Sequence, residues 1–533
     1  MAHAQQQSEA QWWPTIGVML GGLAVAMSQG SLNVAIPSMM SSLSTDLDRI
    51  QWVQTGYGIT QAVLIPAVGW LGPRLGTKRL FLLATCLFLT GSVLAGLAWD
   101  VNSLIAFRVL QGIGGGPITP LGMSILYRTF PPEKRGLALG LYNFSHSFGP
   151  AIAPALGGYL IEVFNWRAIM YLNVPFALLS ASLVFLSMPT TPDQPPRPFD
   201  AVGVVSMASF LVLFLLALSE GRRYGWGAPM IVTLFVLAGI ALLIFLVTEL
   251  TVTVPFVDLR LHTNLPFTMG CLIGFLNTME FRGTNFLMPI MLQHLFHYTP
   301  LLTGLFFLPP ALVMGVTSIL AGRLSDLVQP RLLLALGLLV LTAVSFQFCA
   351  IDVWATGALL LGLITLRRAA QAFCHAPLTK ATLHGIPEEQ LHMASGVFNL
   401  HRTLAGAVGV AMTATVMEYR EDVHSLILSE RQALYPLGTQ VATATIQEVL
   451  TQDGQGNESL AQMTTTVLHQ QLEEAATLAS YHDLFLLFAV LTLGSLIPVF
   501  CLRSGTRSTV RAGDAADQHA TPPPAQPPVR RSH

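Results

Sequence analysis

Met27-Ser28-Gln-Gly-Ser-Leu-Asn33-Val-Ala-Ile-Pro37-Ser-Met39 and Met279-Glu280-Phe-Arg282-Gly-Thr-Asn285-Phe-Leu-Met-Pro289-Ile-Met291 share Met, Asn, Pro and Met at one constant offset, 252 residues apart. Four identities aligned in this way indicate an internal duplication. Gly69-Trp-Leu-Gly-Pro73-Arg74 is echoed by Gly322-Arg-Leu-Ser-Asp326, and Gly140-x2-Asn143 by Gly396-x2-Asn399. Arg108-x2-Gln111-x5-Pro117 returns 260 residues later as Arg368-x2-Gln371-x5-Pro377. Two related bundles rocking about a midplane site describe an alternating-access carrier, whereas a membrane enzyme gains little from such symmetry.

These stretches are apolar enough to need lipid around them. Of 533 residues 52% are hydrophobic and 10% charged, with mean hydropathy +0.59, against roughly 45–50% and 25% in soluble domains. In a bilayer the backbone must satisfy itself, so long apolar runs become helices, and the alternation of a barrel strand is absent. A net charge of −1 gives no case for nucleic acid. Cys86, Cys271, Cys349, Cys374 and Cys501 lie in or beside apolar runs without CxxC or metal spacing and read as core or lipid-facing residues; no metal and no cofactor are expected. Met1 to Trp13 holds no Lys or Arg, so it lacks the basic start of a signal peptide, and the first run should stay as a helix.

Runs long enough to cross about 30 Å of hydrocarbon span 15–39, 52–72, 79–98, 103–127, 136–161 and 167–188, then 201–218, 229–249, 267–292, 301–321, 331–350, 354–379, 391–417 and 482–502, fourteen in all. The expected organisation is a six-helix bundle (1–188), a connector with two further helices (189–266), a second six-helix bundle (267–503) and a disordered tail (504–533). Arg74, Lys78, Arg79, Arg128, Lys134, Arg135, Arg197, Arg323, Arg331 and Arg503 fall in alternate loops, with Arg222 and Arg223 as exceptions. By the positive-inside rule both termini are cytoplasmic. The segment 418–482 is then outside and reads as amphipathic helix, either docking a partner protein or capping the transporter itself.

The motifs resemble those of the fourteen-spanner drug/proton antiporters of the major facilitator superfamily, the EmrB/QacA type, over nearly the whole chain. Gly69-Trp-Leu-Gly-Pro-Arg74-Leu-Gly76-Thr-Lys78-Arg79 is similar to the family's loop motif, and Arg108-Val-Leu-Gln-Gly-Ile-Gly-Gly-Gly-Pro117 to its helix 4 motif. Gly149-x3-Ala153-Pro154-x2-Gly157-Gly158 resembles its antiporter motif, followed by Asn165-Trp-Arg167 and Asn173-Val-Pro175. The resemblance implies an all-α integral membrane protein with the major facilitator fold, in which runs 1, 4, 9 and 12 line a central cavity. Two positions depart from the family: Pro73 replaces an acid in the loop motif, and Ser28 replaces an intramembrane Asp.

An ionised residue inside the membrane is costly and marks a cavity or a partner. Glu280 stands where the repeat puts Ser28, so the missing acid reappears on the related helix, either as a proton site in the cavity or in a structural pair with a nearby base. Arg108 with Gln111, and Arg368 with Gln371 and His375, share helix faces, and Arg108 is a cavity cation or an interhelix brace. Asn33, Arg282, Asn285 and His146 complete the candidate cavity set, and His146, with His401 and Arg402, is either a cavity residue, a packing residue or one near the cytoplasmic mouth. Gly149, Ala153 and Gly157 bare one side of their helix for close approach. Arg74, Lys78 and Arg79 serve a gate latch or plain topology, and Asp326 is the expected acid of the second latch.

The leading expectation is a secondary exporter of hydrophobic or amphipathic compounds from the inner membrane. It is driven by proton antiport at Glu280 through a cavity short of charge and rich in Met and Phe. A periplasmic adaptor and outer-membrane channel are its expected partners in a two-membrane host. The alternative is a dedicated carrier of one physiological solute, such as a lipid, siderophore or peptide-like metabolite, without obligatory proton coupling. No HExxH, GxSxG or P-loop pattern supports an enzyme or an ATP-driven pump.

Overall fold

A computed structural model describes residues 2–45, 47–189, 200–253, 255–434 and 457–502, and its elements are all helical. Each of the fourteen apolar runs falls on helix. Run 1 becomes α1 (Ala2–Gly30) and α2 (Leu32–Leu43), and run 2 becomes α3 (Leu47–Leu64) and α4 (Ala67–Leu75). Next come α5 (Thr77–Gly96), α6 (Val101–Thr129), α7 (Arg135–Val163), then α8 (Arg167–Tyr171) with α9 (Val174–Ser187). The inserted pair is α10 (Ala201–Tyr224) and α11 (Pro229–Thr251). The second half holds α12 (Leu265–His294), α13 (Pro300–Leu327), α14 (Pro330–Phe348), α15 (Gly357–Leu383), α16 (Leu391–Leu434), α17 (Asn457–Gly494) and the short α18 (Leu496–Val499).

Local chemistry sets the starts. Asp100 and Ser103 form a reciprocal capping box on α6, while Thr299 and Thr356 accept from Leu302 N and Leu359 N at the heads of α13 and α15. Proline opens α11, α13 and α14, where its missing N–H costs nothing. Eight of the described helical stretches are long and apolar enough to cross a membrane by length and composition alone. α6, α7, α12 and α16 fall short because they carry the Gly, Pro, Arg and His of the protein's interior.

Packing repeats the duplication. α1 packs on α7 as α12 does on α16, α3 on α6 as α13 on α15, and α5 on α6 as α14 on α15. The pairs α1 with α9 and α12 with α17 complete the correspondence, and α10, paired with α11, touches α3 and α16 at the seam. One continuous apolar core joins the two halves at the end bearing the basic loops, through Phe81, Tyr127, Phe130, Leu334, Leu391 and Phe398. At the opposite end the core divides. Leu32, Met39, Val53 and Trp166 form one cluster, and Leu287, Met291, Phe348 and Phe485 another. The halves are therefore sealed together at the basic end and apart at the other.

In the described part of the 418–482 segment, α16 runs unbroken to Leu434, and α17 starts at Asn457. Arg420 Nε and His424 Nε2 both reach Asp483 Oδ2, at 2.6 and 2.7 Å, and Thr477 donates to Glu421 at 2.5 Å. Leu426 and Ile427 are exposed. The tail 504–533, the connector 190–199 and residues 435–456 lie outside the described residues.

Candidate functional site

Two polar knots sit inside the halves, at matching places. In the first, Arg108 of α6 donates from Nη1 to Ser28 Oγ (2.8 Å) and Gln111 Oε1 (2.5 Å), and from Nε to Val53 O (3.2 Å), with its guanidinium 4.2 Å from the Tyr57 ring centre. Gln111 passes the chain on to Ser92. Arg108 is 1% exposed, so it braces α1, α3 and α6 from within, and its Nη2 is buried without a partner. In the second knot, Arg367 of α15 pairs with Glu280 Oε1 and donates to Thr284 Oγ1 and Ser345 Oγ, both at 2.8 Å. Thr284 also donates to Glu280 Oε1 at 3.0 Å. Glu280 stands 252 positions after Ser28, and Ser345 stands 253 after Ser92. The geometric twin of Arg108 is thus Arg367, although the sequence motif matches Arg368.

Arg368, one residue on, turns about 100° away and borders a cleft with Phe281, Thr284, Asn285, Met288, Phe307 and Gln371. Its guanidinium lies 5.3 Å from the Phe281 ring centre. Gln371 donates to Asn277 at 2.8 Å. His375, edge-on to the other part of this aromatic wall, lies 5.5 Å from Phe281, and its Nδ1 is 3.4 Å from Arg402 Nη2. Arg282, halfway along α12, is exposed even though Gly406 of α16 lies against its stem. His146, on α7 of the other half, contacts Tyr142 Oη at 3.1 Å and feels the charges of Arg402 and Arg282.

Arg282, Arg402 and His375 on the second half and His146 on the first therefore approach one another across the seam, and Arg368 joins the group through His375. Glu280, the buried carboxylate of this region, is taken up by Arg367. Among the described residues no acid neutralises the three arginines, so the wall expected to be short of charge is cationic. The reason is helical rotation: Arg282 and Arg402 turn toward the space between the halves rather than into their own bundle. The side chains of Asn33 and Pro154 lie outside the described residues.

The sealed end is held by contacts across the halves. α7 and α13 touch backbone to backbone: a Cβ at Gly322 would stand 2.3 Å from Gly136 O, and one at Gly140 2.6 Å from Ser318 O. Asp326 of α13 accepts from Gly136 N (2.8 Å) and Leu137 N (2.9 Å), capping α7, and Lys380 holds the same carboxylate at 2.5 Å. His392, at the head of α16, contacts Thr77 Oγ1 at 3.0 Å and Ser124 Oγ at 2.8 Å, beneath Gly72. Gly69 packs on Met393, and Arg128 donates to Glu388 O at 2.6 Å.

Arg74 and Lys78 act within their own half. Arg74 stacks on Trp70, Lys78 donates to Met188 O at 2.5 Å, and Arg79 opens α5 after the turn at Gly76, whose φ of 75° favours glycine. Gly149 lies against Ala26 and Leu23 of α1, Gly157 beside Ser31, and Gly158 faces open space. His392, Lys380 and Arg367 were not candidates from sequence. The buried Arg-Arg pair at 367–368 was the signal for the last, since only one of the two fits the repeat.

Duplicated six-helix packing with a polar seam can now be set beside known proteins. The model of the Major Facilitator Superfamily matches residues 18–410. The chain belongs to the major facilitator superfamily. This major facilitator protein is a multi-pass membrane protein and 32% identical to the multidrug export protein EmrB of Haemophilus influenzae, over 91% of this chain and 94% of that one. It is 29% identical to the fatty acid resistance protein FarB of Neisseria gonorrhoeae, over 92% of this chain and 95% of that one. Among solved structures, the human organic anion transporter MFSD10 (TETRAN) superposes with a TM-score of 0.60 at 15% identity, covering 92% of this chain and 99% of that one. At that identity the likeness speaks for the fold alone.

Proposed function

We propose that this protein is a multidrug-type secondary exporter whose preferred substrates are amphipathic anions, such as fatty carboxylates and acidic phenols. The carrying observation is the group Arg282, Arg368 and Arg402, unpaired by any described acid, of which Arg368 borders a cleft lined by Phe281, Met288 and Phe307. Clustered cations repel one another, and an anionic head relieves that cost while Phe281, Met288 and Phe307 take its apolar tail. Relatives named for multidrug export and for fatty acid resistance support this reading.

In this account fourteen helices span the inner membrane, divided as 1–188, 189–266 and 267–503, with the basic end and both termini in the cytoplasm. The conformation is then open outward. Proton antiport would act at Glu280: a proton arriving from outside removes the partner of Arg367 and so biases the return to the inward-open state. Gly69 to Arg79, Asp326 and the antiporter glycines would serve the gates, with Ser28, Arg108 and Gln111 supporting the first half. The exposed Leu426 and Ile427 are the candidate contacts for a periplasmic adaptor that leads to an outer-membrane channel. A carrier dedicated to one physiological solute remains the alternative, and an anionic lipid would satisfy both readings.

Binding to the purified protein tests the substrate class. A medium-chain fatty carboxylate should bind at least about tenfold more tightly than its alcohol, since a charge-assisted hydrogen bond contributes roughly 1.5–3 kcal/mol, and Arg402→Gln with Arg368→Gln should erase the difference. Equal binding of acid and alcohol by the unaltered protein would refute it.

A further inference from the structure

His262, Cys271 and His401 are distant in sequence and meet at the basic end of the second half. A ligand atom from each lies within 4.8 Å of the others. His262 belongs to the turn Leu259–Thr263 that leads from α11 into α12, Cys271 to the second turn of α12, and His401 to α16. Both histidines are already held in place. Thr268 Oγ1 donates to His262 O at 2.7 Å, and the His262 ring stands edge-on to Phe267 at 5.6 Å. His262 Nδ1 is buried and without a hydrogen-bond partner. His401 Nδ1 donates to Val397 O at 2.8 Å, which leaves Nε2 as the bare lone pair. A carbonyl on the far nitrogen is the usual way a metal-binding imidazole is oriented. The two imidazole rings lie 5.4 Å apart, and Cys271 is 2% exposed.

We propose that His262, Cys271 and His401 form a zinc site that clamps the turn after α11 onto α12 and α16. Two imidazoles and one thiolate suit a d10 ion of borderline softness and do not suit magnesium or calcium, which prefer oxygen. With Zn–N of about 2.0–2.1 Å and Zn–S of about 2.3 Å, tetrahedral ligand atoms stand about 3.3–3.6 Å apart, so the three side chains close by at most about 1.5 Å. The ion takes the place of the Cys271 thiol proton, which leaves to solvent. The two imidazoles bind as neutral donors, and water holds the fourth position. The clamp is independent of what the central cavity carries. It joins the inserted helix pair to the second half at the end where the two halves seal.

Full-length protein in lipid nanodiscs, stripped with a chelator and titrated with cobalt(II), tests the site. A thiolate-to-cobalt charge-transfer absorption should grow to one equivalent and collapse on addition of zinc. Cys271→Ser should abolish it, His401→Gln should weaken binding at least about tenfold, and Cys349→Ser should leave it intact. In the unaltered protein, zinc should also protect Cys271 from alkylation, read by mass spectrometry, a measurement that needs no variant to fold. An absent band at stoichiometric cobalt, a band retained in Cys271→Ser, or alkylation of Cys271 that proceeds in the stripped protein and is not slowed by zinc would each overturn the proposal.

Discussion

Glu280 is 1% exposed and Arg367 5% exposed, and each charge has the other as its partner. Removing one member of such a pair strands the other, at a cost of about 3–5 kcal/mol. Arg367→Met should therefore lower the thermal unfolding temperature of the solubilised protein sharply, and Glu280→Gln/Arg367→Met should recover most of it. Equal loss in the single and double variants would show that the pair is not coupled. Glu280→Gln alone keeps a hydrogen-bonding group of the same shape. It should abolish transport driven by a pH gradient while leaving substrate binding in place, and undiminished pH-driven transport would remove Glu280 from the coupling. At this scale the sequence was half legible. An acid inside an apolar run announces Glu280, but the choice between Arg367 and Arg368 as its partner turns on one residue of helical rotation. Arg402 likewise meets His375, on another helix, at 3.4 Å, a contact that no sequence spacing announces.

Helices α7 and α13 make their closest approach where neither has a side chain, at Gly136, Gly140 and Gly322. Because the nearest atoms are backbone, Gly322→Val cannot be absorbed by a rotamer change. It should push the two helices apart and populate the state open at the basic end. Spin labels at the basic ends of α7 and α13 should report a longer distance in Gly322→Val, and an unchanged distance distribution would contradict the close-packed seal. Asp326 extends the same seal, through its bonds to Gly136 N and Leu137 N. Farther along the chain, a photo-crosslinker at Leu426, 62% exposed, should capture an adaptor in cells with two membranes, whereas crosslinks confined to the transporter would favour a cap.

The helices themselves were legible as apolar runs, since only length and hydropathy decide them. The interruptions at Ser31 and at Ile65–Pro66 were not, because they depend on tertiary packing, whereas the helix expected beyond Glu418 is present to Leu434 as an unbroken continuation of α16.

Across the whole molecule, the duplication seen at Met27–Met39 and Met279–Met291 reappears as matching helix pairs and matching polar knots. The symmetry is broken where function would need it. The first knot holds Ser28 and the second an ion pair, and the cations cluster on the second half's side of the seam. Sequence could show the two halves but not which end seals them, because the single core at one end and the two cores at the other arise from contacts between distant residues.

These features together support the proposed anion-selective exporter, open away from its basic end. Transport into inverted vesicles or oriented proteoliposomes under an imposed pH gradient, acidic on the side that receives substrate, compares a fatty carboxylate with a neutral and a cationic amphipath of equal chain length. The carboxylate should accumulate, its accumulation should be lost when the gradient is collapsed, and the other two should move little. Accumulation of the cationic amphipath in preference to the carboxylate would contradict that selectivity.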